Sequence, residues 1–329
     1  MCKILSIAIV AYNEEDFLRN LLKDIEAQKY PHNLIEILLI NSCSTDNTKA
    51  IMEEFKNDND FYSVQVLDNP KKIQAAGWNI AIKNFKGDVL ARIDAHTKVS
   101  SEYSEYVMKN IQEGENVVGG IRPCIIENDT SWSNVLLQVE NSLFGSSINA
   151  SRRNLEKTYV KTMFHAAYKR EVLEKVGLFN EKLLRTEDNE FHYRIRKAGY
   201  KLCYDPRIVS YQYARSNFRR MIKQKYGNGE WIGRTIKICP GCISLYHLIP
   251  LAFVVAIILT TLLACMNRWK LSALMWFLYS TFAIVNTIIS GIKNGFYIQS
   301  FFMPFIFLIL HIAYGMGTVI GIVKWRNVR

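Results

Sequence analysis

From Cys239 to the C-terminus the chain has no aspartate or glutamate, although 30 acidic residues are spread over its 329 positions. That stretch keeps six basic residues, Arg268, Lys270, Lys293, Lys324, Arg326 and Arg329, set in long apolar runs. Acids are already scarce before it, since residues 207–238 carry eight basic residues against Glu230 alone. The net charge of +11 therefore sits in the last third, and residues 1–206 sum to −2. This excludes a uniformly basic nucleic-acid binder, and no nucleic-acid partner is expected. Disorder is excluded by 49% hydrophobic and 12% aromatic residues. Also missing is a glycine fingerprint. A dinucleotide-dependent oxidoreductase needs Gly-x-Gly-x-x-Gly after its first strand, and the chain has Ala11-Tyr-Asn-Glu-Glu-Asp16 there. The seven cysteines (2, 43, 124, 203, 239, 242 and 265) lack framework spacing, and their odd number fits a reducing compartment. Cys239-Pro-Gly-Cys242 is a lone pair, read as a Pro-Gly turn rather than half a zinc site.

Three apolar runs follow Ser244, roughly 245–266, 271–292 and 296–323. Each reaches the ~20 residues that cross a hydrocarbon core, and short basic or polar breaks separate them. They are expected to be transmembrane helices. The basic stretch before them predicts a cytoplasmic N-terminal part. Three full spans would export the Lys324–Arg329 tail, whereas two spans plus a re-entrant or interfacial segment would keep it inside. Lys3 ahead of an apolar run imitates a signal peptide. The run continues into Tyr-Asn-Glu-Glu without a small-residue cleavage site and is read as a strand.

The N-terminal part alternates strand and helix. Apolar runs at 5–12, 34–40, 63–67 and 89–93 predict strands, and amphipathic stretches at 16–28, to about 55, and 73–85 predict helices, with Ser44 or Thr45 capping the second. Such alternation implies a parallel, doubly wound sheet whose ligands bind at the carboxyl ends of its strands. Tyr12–Glu14, Asn41–Asp46 and Asp94–His96 all fall there.

Those same residues carry a family resemblance. Ser6-Ile-Ala-Ile-Val-Ala-Tyr-Asn-Glu14 resembles the opening strand of the family-2 inverting glycosyltransferases, and Leu38-Leu-Ile-Asn-Ser-Cys-Ser-Thr-Asp-Asn-Thr48 resembles their second strand. Gly77-Trp-Asn-Ile-Ala-Ile82 and Gly87-Asp-Val-Leu-Ala-Arg-Ile-Asp-Ala-His96 are similar to the helix and metal-binding strand. Arg185-Thr-Glu-Asp188 with Arg194-Ile-Arg-Lys-Ala-Gly-Tyr200 is similar to the acid motif and its helix. The resemblance covers about 5–235. With the Asp-Ala-His form, the 224–231 stretch and the apolar tail, it is nearest to the bacterial exopolysaccharide branch of succinoglycan-biosynthesis type. It implies an α/β fold: a GT-A (Rossmann-like) nucleotide-diphospho-sugar transferase domain followed by C-terminal transmembrane helices. The expected divisions are 1–213 for the catalytic domain, 214–243 for a basic amphipathic juxtamembrane segment and 244–329 for two to three membrane helices.

Sugar transfer asks for these residue types on chemical grounds too. A donor leaving as a nucleoside diphosphate needs its charge neutralised, and a divalent cation does this as a Lewis acid. Asp94 and His96, two apart at a strand end, share one face and can reach one ion, Mn²⁺ or Mg²⁺. Imidazole suits Mn²⁺ better. Taken alone, His96 also reads as a solvated loop histidine. The acceptor hydroxyl must lose a proton, and Asp188, opening a helix beside Glu187, is the candidate base. Both acids would equally stabilise that helix's dipole. For the donor nucleotide, Tyr12 can stack on or edge the base, Glu14 can accept from ribose or base, and Asn41 takes the place of the family's usual Asp. Lys71 can reach base or phosphate, or be plain surface; Asn79 holds a loop near the ribose or serves the helix interior. Asp94 also counts among the donor-site residues. His165 and His192 are read as structural.

In the 215–237 stretch, Arg219, Arg220, Lys223 and Lys225 interleave with Phe218, Met221, Ile222 and Tyr226, as in an interfacial helix that meets anionic lipids. Processive synthases carry Gln-x-x-Arg-Trp here. The chain has Gln224-Lys-Tyr-Gly-Asn-Gly-Glu-Trp231 instead, which argues against a polymer-extruding enzyme. The expected protein is a metal-dependent, non-processive, inverting transferase at a cell membrane, with a nucleotide-diphospho-sugar donor, a lipid-linked sugar acceptor and membrane lipids as partners. A non-catalytic membrane scaffold on the same fold, or a processive polysaccharide synthase, is the alternative.

Overall fold

The computed structural model describes residues 3–145, 155–215 and 217–324. Cys2, Arg326 and Arg329 lie outside the described residues, as does the end of the basic tail. The chain divides into two compact units, residues 1–123 with 150–212, and residues 124–149 with 213–329. The expected division put one uninterrupted catalytic domain over 1–213. Residues 124–149 instead group with the C-terminal part.

In chain order, the elements begin with β1 (Leu5–Ala11), α1 (Glu15–Glu26), β2 (Ile35–Asn41), α2 (Thr48–Asn57), β3 (Ser63–Asp68) and α3 (Gln74–Asn84). Then come β4 (Val89–Asp94), β5 (Thr97–Val99), α4 (Tyr103–Gln112), β6 (Val117–Ile121), β7 (Cys124–Ile125) and α5 (Ser131–Asn141). These are followed by β8 (Thr158–Val160), β9 (Ala167–Lys169), α6 (Arg170–Val176), α7 (Glu187–Lys197) and β10 (Leu202–Tyr213). The chain closes with α8 (Phe218–Ile238), α9 (Ile249–Cys265), α10 (Lys270–Asn294) and α11 (Met303–Val323).

In the first unit the sheet order is β3-β2-β1-β4-β9-β6-β10-β5. The four strands legible as apolar runs, β3-β2-β1-β4, pair in parallel, as expected of βαβ crossovers. Beyond them the sheet is mixed: β9 runs antiparallel to β4 and β6, and β5 antiparallel to β10. Side chains alternate across β1. Leu5, Ile7 and Ile9 join a core with α1, α2 and α4, while Ala8 joins a second core with Trp78, Phe179 and Phe191. Gly77 is where α3 comes closest to β1, because a Cβ there would meet the Val10 side chain at 2.6 Å. The start of α2 differs from expectation. Neither Ser44 nor Thr45 caps it; the Asp46 carboxylate accepts from Thr48 N at 3.0 Å.

The second unit contains three helices long and apolar enough to cross a membrane, 245–265, 270–294 and 298–323. The third is unlike the others: 39% of its apolar window is buried, against 6% for each of the first two. What covers it is largely α8. Gly229 and Gly233 on α8 face Tyr314 and Thr318, while Gly317 and Gly321 on α11 face Tyr226 and Glu230, so the helices run parallel with backbones in contact. Small residues four apart on both helices allow this approach. The seam revises the interfacial-helix expectation. The apolar Met221 is buried with Met303, Ile306 and Phe307, not left open to lipid. Lys225 is not a headgroup contact either, because it is buried in an ion pair with Glu140 of α5 at 2.8 Å. Arg219, Arg220 and Lys223 remain exposed. Replacing Gly317 with Leu should force the helices apart at a cost of about 1–3 kcal/mol or more. Thermal unfolding in detergent would register this as a lowered midpoint; an unchanged midpoint would mean the seam is dispensable.

Candidate active site

The site lies in the first unit, at the carboxyl ends of β1, β2 and β4. The loops after β1 and β2 are stitched together by polar side chains. Asn13, in the left-handed region at φ 54°, accepts from Thr45 N through Oδ1 at 2.8 Å, and its own N–H donates to Ser44 Oγ at 3.1 Å. Glu14 N donates to Thr48 Oγ1 at 2.8 Å. Asn41 is buried at the end of β2, where its Nδ2 donates to Asp68 Oδ1 at 3.1 Å and its Oδ1 accepts from Ser44 N at 3.0 Å. Tyr12 is exposed beside them.

Asp94 ends β4 and is heavily engaged. Gln74 Nε2 donates to its Oδ1 at 2.8 Å, while Arg122 Nη2 and His165 Nε2 reach its Oδ2 at 3.0 and 3.2 Å. Burial alone would raise its pKa, but the His165 hydrogen bond and the Arg122 charge hold the carboxyl well below its ordinary range. Burial and then Arg122 push His165 down to about 4. At neutral pH this ring is therefore neutral and holds Asp94 by a hydrogen bond, leaving Arg122 as the formal countercharge. Ser210 Oγ lies 2.8 Å from His165 Nδ1, and the Tyr103 hydroxyl donates to the His165 carbonyl at 2.9 Å, pinning a backbone with φ 45°. His165 is thus part of the site's framework, a role its sequence context did not suggest.

His96, two residues on, points its Nδ1 at Glu14 Oε1, 3.1 Å away. Glu14 is therefore committed to the histidine rather than free for a ribose. Lys71 is exposed and ion-paired with Glu181 at 2.5 Å. Asn79 ties α3 to the loop between α6 and α7, donating to Phe179 O and Glu181 Oε1, both at 3.0 Å, and accepting from Phe179 N at 2.7 Å. It holds a loop rather than serving the helix interior alone.

At the start of α7, Glu187 is buried, and its Oε2 has no hydrogen-bond partner among the described residues. Burial and then the neighbouring Asp188 charge raise its pKa, so the carboxyl holds its proton. Asp188 is more open, and its Oδ1 meets Arg92 Nη2 at 2.5 Å. Burial pushes Asp188 up from the usual carboxylate value, and Arg92 pulls against that shift. His192, one turn further along α7, is structural as expected. It is buried between Tyr168 Oη at 2.8 Å and Thr162 Oγ1 at 3.1 Å.

Arg92, Arg122 and His165 are the site residues that sequence reasoning missed. The signal for Arg92 was present, because a cation inside the otherwise apolar strand 89–93 needs a buried partner. Nothing comparable marked Arg122 or His165, whose partner lies tens of residues away.

The family description Glycosyl transferase family 2 matches residues 6–177. That is more than half of the chain, and the chain belongs to this family of glycosyltransferases. It is 27% identical, over 98% of both chains, to the dolichyl N-acetyl-alpha-D-glucosaminyl phosphate 3-beta-D-2,3-diacetamido-2,3-dideoxy-beta-D-glucuronosyltransferase of Methanococcus voltae. It is 26% identical to succinoglycan biosynthesis protein ExoA of Rhizobium meliloti, over 79% of this chain and 78% of that one. Among solved structures it is similar to a mannosyltransferase from Pyrobaculum calidifontis in complex with GDP-Man and Mn²⁺. The TM-score is 0.65 at 17% identity, covering 97% of this chain and 88% of the other. At that identity the likeness establishes the GT-A fold and nothing finer.

Proposed function

We propose that this family 2 glycosyltransferase moves a single sugar, with inversion, from a nucleotide-diphospho-sugar to a lipid-linked acceptor at the cytoplasmic membrane face. Its product would feed a cell-surface polysaccharide or glycolipid. The observation that carries this is the double duty of β4. Its carboxyl end leads into Asp94 and His96, and through Arg92 the same strand holds Asp188.

Asp94 and His96 are the residues that would hold a divalent cation, Mn²⁺ or Mg²⁺. When bound, the cation supplies positive charge to the departing diphosphate. The donor set fits such an ion. A carboxylate offers about four lone-pair directions, and the contacts from Gln74, Arg122 and His165 leave one open on Asp94. Glu14 occupies Nδ1 of His96, which leaves Nε2 as the nitrogen that would ligate. Among the described residues no cluster of three or more His, Cys, Asp or Glu could hold a metal. Two protein donors completed by substrate phosphates is a familiar arrangement for such cations. The Mn²⁺ and GDP-Man bound to the Pyrobaculum calidifontis neighbour support this part of the proposal.

Asp188 is the base. The acceptor oxygen attacks the anomeric carbon opposite the diphosphate, and as the new C–O bond forms, the bond to the diphosphate oxygen breaks and its electron pair leaves with the nucleotide. The acceptor's proton passes to the Asp188 carboxylate. Asn41 and Tyr12 face the nucleotide base, and Lys71 reaches a phosphate once it leaves Glu181. Glu187, buried and protonated, stands behind the base. A lipid-linked acceptor suits a catalytic unit tied to apolar helices, and the Methanococcus voltae relative is named for a dolichyl phosphate substrate. Arg219, Arg220 and Lys223 are exposed and would meet anionic headgroups.

Purified protein, incubated with a panel of nucleotide sugars and a lipid-linked acceptor, should release nucleoside diphosphate from one preferred donor. The product should carry one added sugar of inverted anomeric configuration. A ladder of products would indicate a processive synthase, and no turnover of any donor would favour the non-catalytic scaffold.

A further inference from the structure

Arg92 is only 4% exposed, within a strand that is otherwise apolar up to Asp94. Taking a guanidinium out of water costs several kcal/mol unless partners compensate. Three rings compensate here. The Arg92 guanidinium lies 4.7 Å from the Phe179 ring centre, 5.0 Å from Trp78 and 5.8 Å from Tyr168, distances at which a cation is attracted to a ring face. These rings come from α3, β9 and the loop before α7, and the hydrogen bond from Tyr168 Oη to His192 locks one of them. The cation is therefore held by parts of the fold other than the helix that carries Asp188.

Among the described residues, the carboxylate it meets is Asp188, at 2.5 Å. Glu187 stands next in sequence, more deeply buried, with an unpartnered oxygen. Two adjacent carboxyls in such surroundings do not both ionise readily, because each charge opposes the other. Something has to decide which of them stays an anion.

We infer that Arg92 is the positioning residue of the transfer reaction: from its aromatic cage it fixes the Asp188 carboxylate in one orientation and keeps it, rather than Glu187, as the anion that receives the acceptor's proton. Arg92 acts through Asp188, since at its depth it has almost no surface on which to meet a substrate. The inference rests on Asp188 being the base. Burial and the Asp94 charge push Asp188 up while Arg92 and, less, Arg122 pull it down, which agrees with it.

The test compares R92M and R92K with wild type and D188N in the full-length, detergent-solubilised protein, following kcat and donor KM from pH 5 to 9. An opposite charge at this range lowers a carboxyl pKa by about one to three units. In R92M the acid limb of the kcat profile should therefore move up by about that much. Turnover would fall off at a higher pH than in wild type and recover toward the alkaline end of the range, with donor KM little changed. R92K keeps the charge but not the planar guanidinium that the rings hold against Asp188, so its limb should stay put while kcat falls uniformly. A merely structural arginine would lower kcat equally at every pH. An unmoved limb in R92M, or an equal shift in R92K, would overturn the inference while leaving D188N inactive. A fully active D188N would remove the base assignment itself, a separate failure. R92Q, neutral and polar, gives the same comparison if R92M does not fold.

Discussion

Asp188→Asn is expected to lower kcat by at least about 10²-fold, the usual contribution of a positioned general base, while donor affinity stays near its wild-type value. Asparagine keeps the shape and one oxygen for Arg92 but cannot take up a proton. The substitution also strands the Arg92 charge, and breaking a buried ion pair by removing one partner can cost about 3–5 kcal/mol. Here the rings of Trp78, Phe179 and Tyr168 remain around the cation, so the folded state should survive with a lower thermal midpoint. Donor binding by calorimetry separates lost chemistry from lost fold. The pH dependence follows from the direction of the shift. Asp188 has its folded pKa raised, so wild-type turnover should fall as pH drops through that value, above the ordinary carboxylate range. Normal turnover at saturating donor in D188N would transfer the base role to Glu187, whose carboxyl would ionise more readily once the Asp188 charge that helps to raise it is gone.

The parts of the fold that could be read in advance are those whose stability is local. Strands β1, β2 and β4 are buried apolar runs with polar ends, β3 is a half-buried alternating strand, and helices follow the first three in the chain, so periodicity alone places them. Strands β5, β8 and β9 could not be read that way. They are three residues each, and exist only because longer strands offer them an edge to pair with. The segment around α5 was illegible for a related reason. Its apolar residues Val135, Leu136 and Val139 have ordinary helical spacing, and nothing local says that they pack with Met303 and Phe307 of α11. The pairing of α8 with α11 was hidden as well. Its glycine spacing was in plain sight, but charge dominates the appearance of 215–237 and draws the eye to lipid. At the site, strand periodicity brought Asp94 and His96 to one face. The groups that hold Asp94, Arg122 just past β6 and His165 before β9, come from sequence separations that no motif spacing encodes.

Removal of divalent cations should have an effect as large as loss of the base. The donor diphosphate brings two or more negative charges to a site where Arg122 is already committed to Asp94. With chelator present, the leaving group would have to depart without the neutralising charge that a bound cation supplies. EDTA is therefore expected to abolish diphosphate release, and Mn²⁺ should restore it at least as well as Mg²⁺, since an imidazole in the donor set favours the softer ion. The contact of Glu14 with His96 Nδ1 at 3.1 Å extends the prediction beyond the ligands. A carboxylate on the far nitrogen fixes the tautomer and ring orientation, and its loss typically weakens metal affinity by about 10–100-fold. His96→Ala should accordingly weaken Mn²⁺ binding in the presence of nucleoside diphosphate the most. Glu14→Ala should follow within that range, and Glu14→Gln, whose amide oxygen still accepts from Nδ1, should lose least. Electron paramagnetic resonance of free Mn²⁺ reads these affinities without reference to turnover. Full activity of a folded, metal-free enzyme in EDTA would take Asp94 and His96 out of the cation's service. Mn²⁺ binding that falls in His96→Ala but not in Glu14→Ala would return Glu14 to the nucleotide.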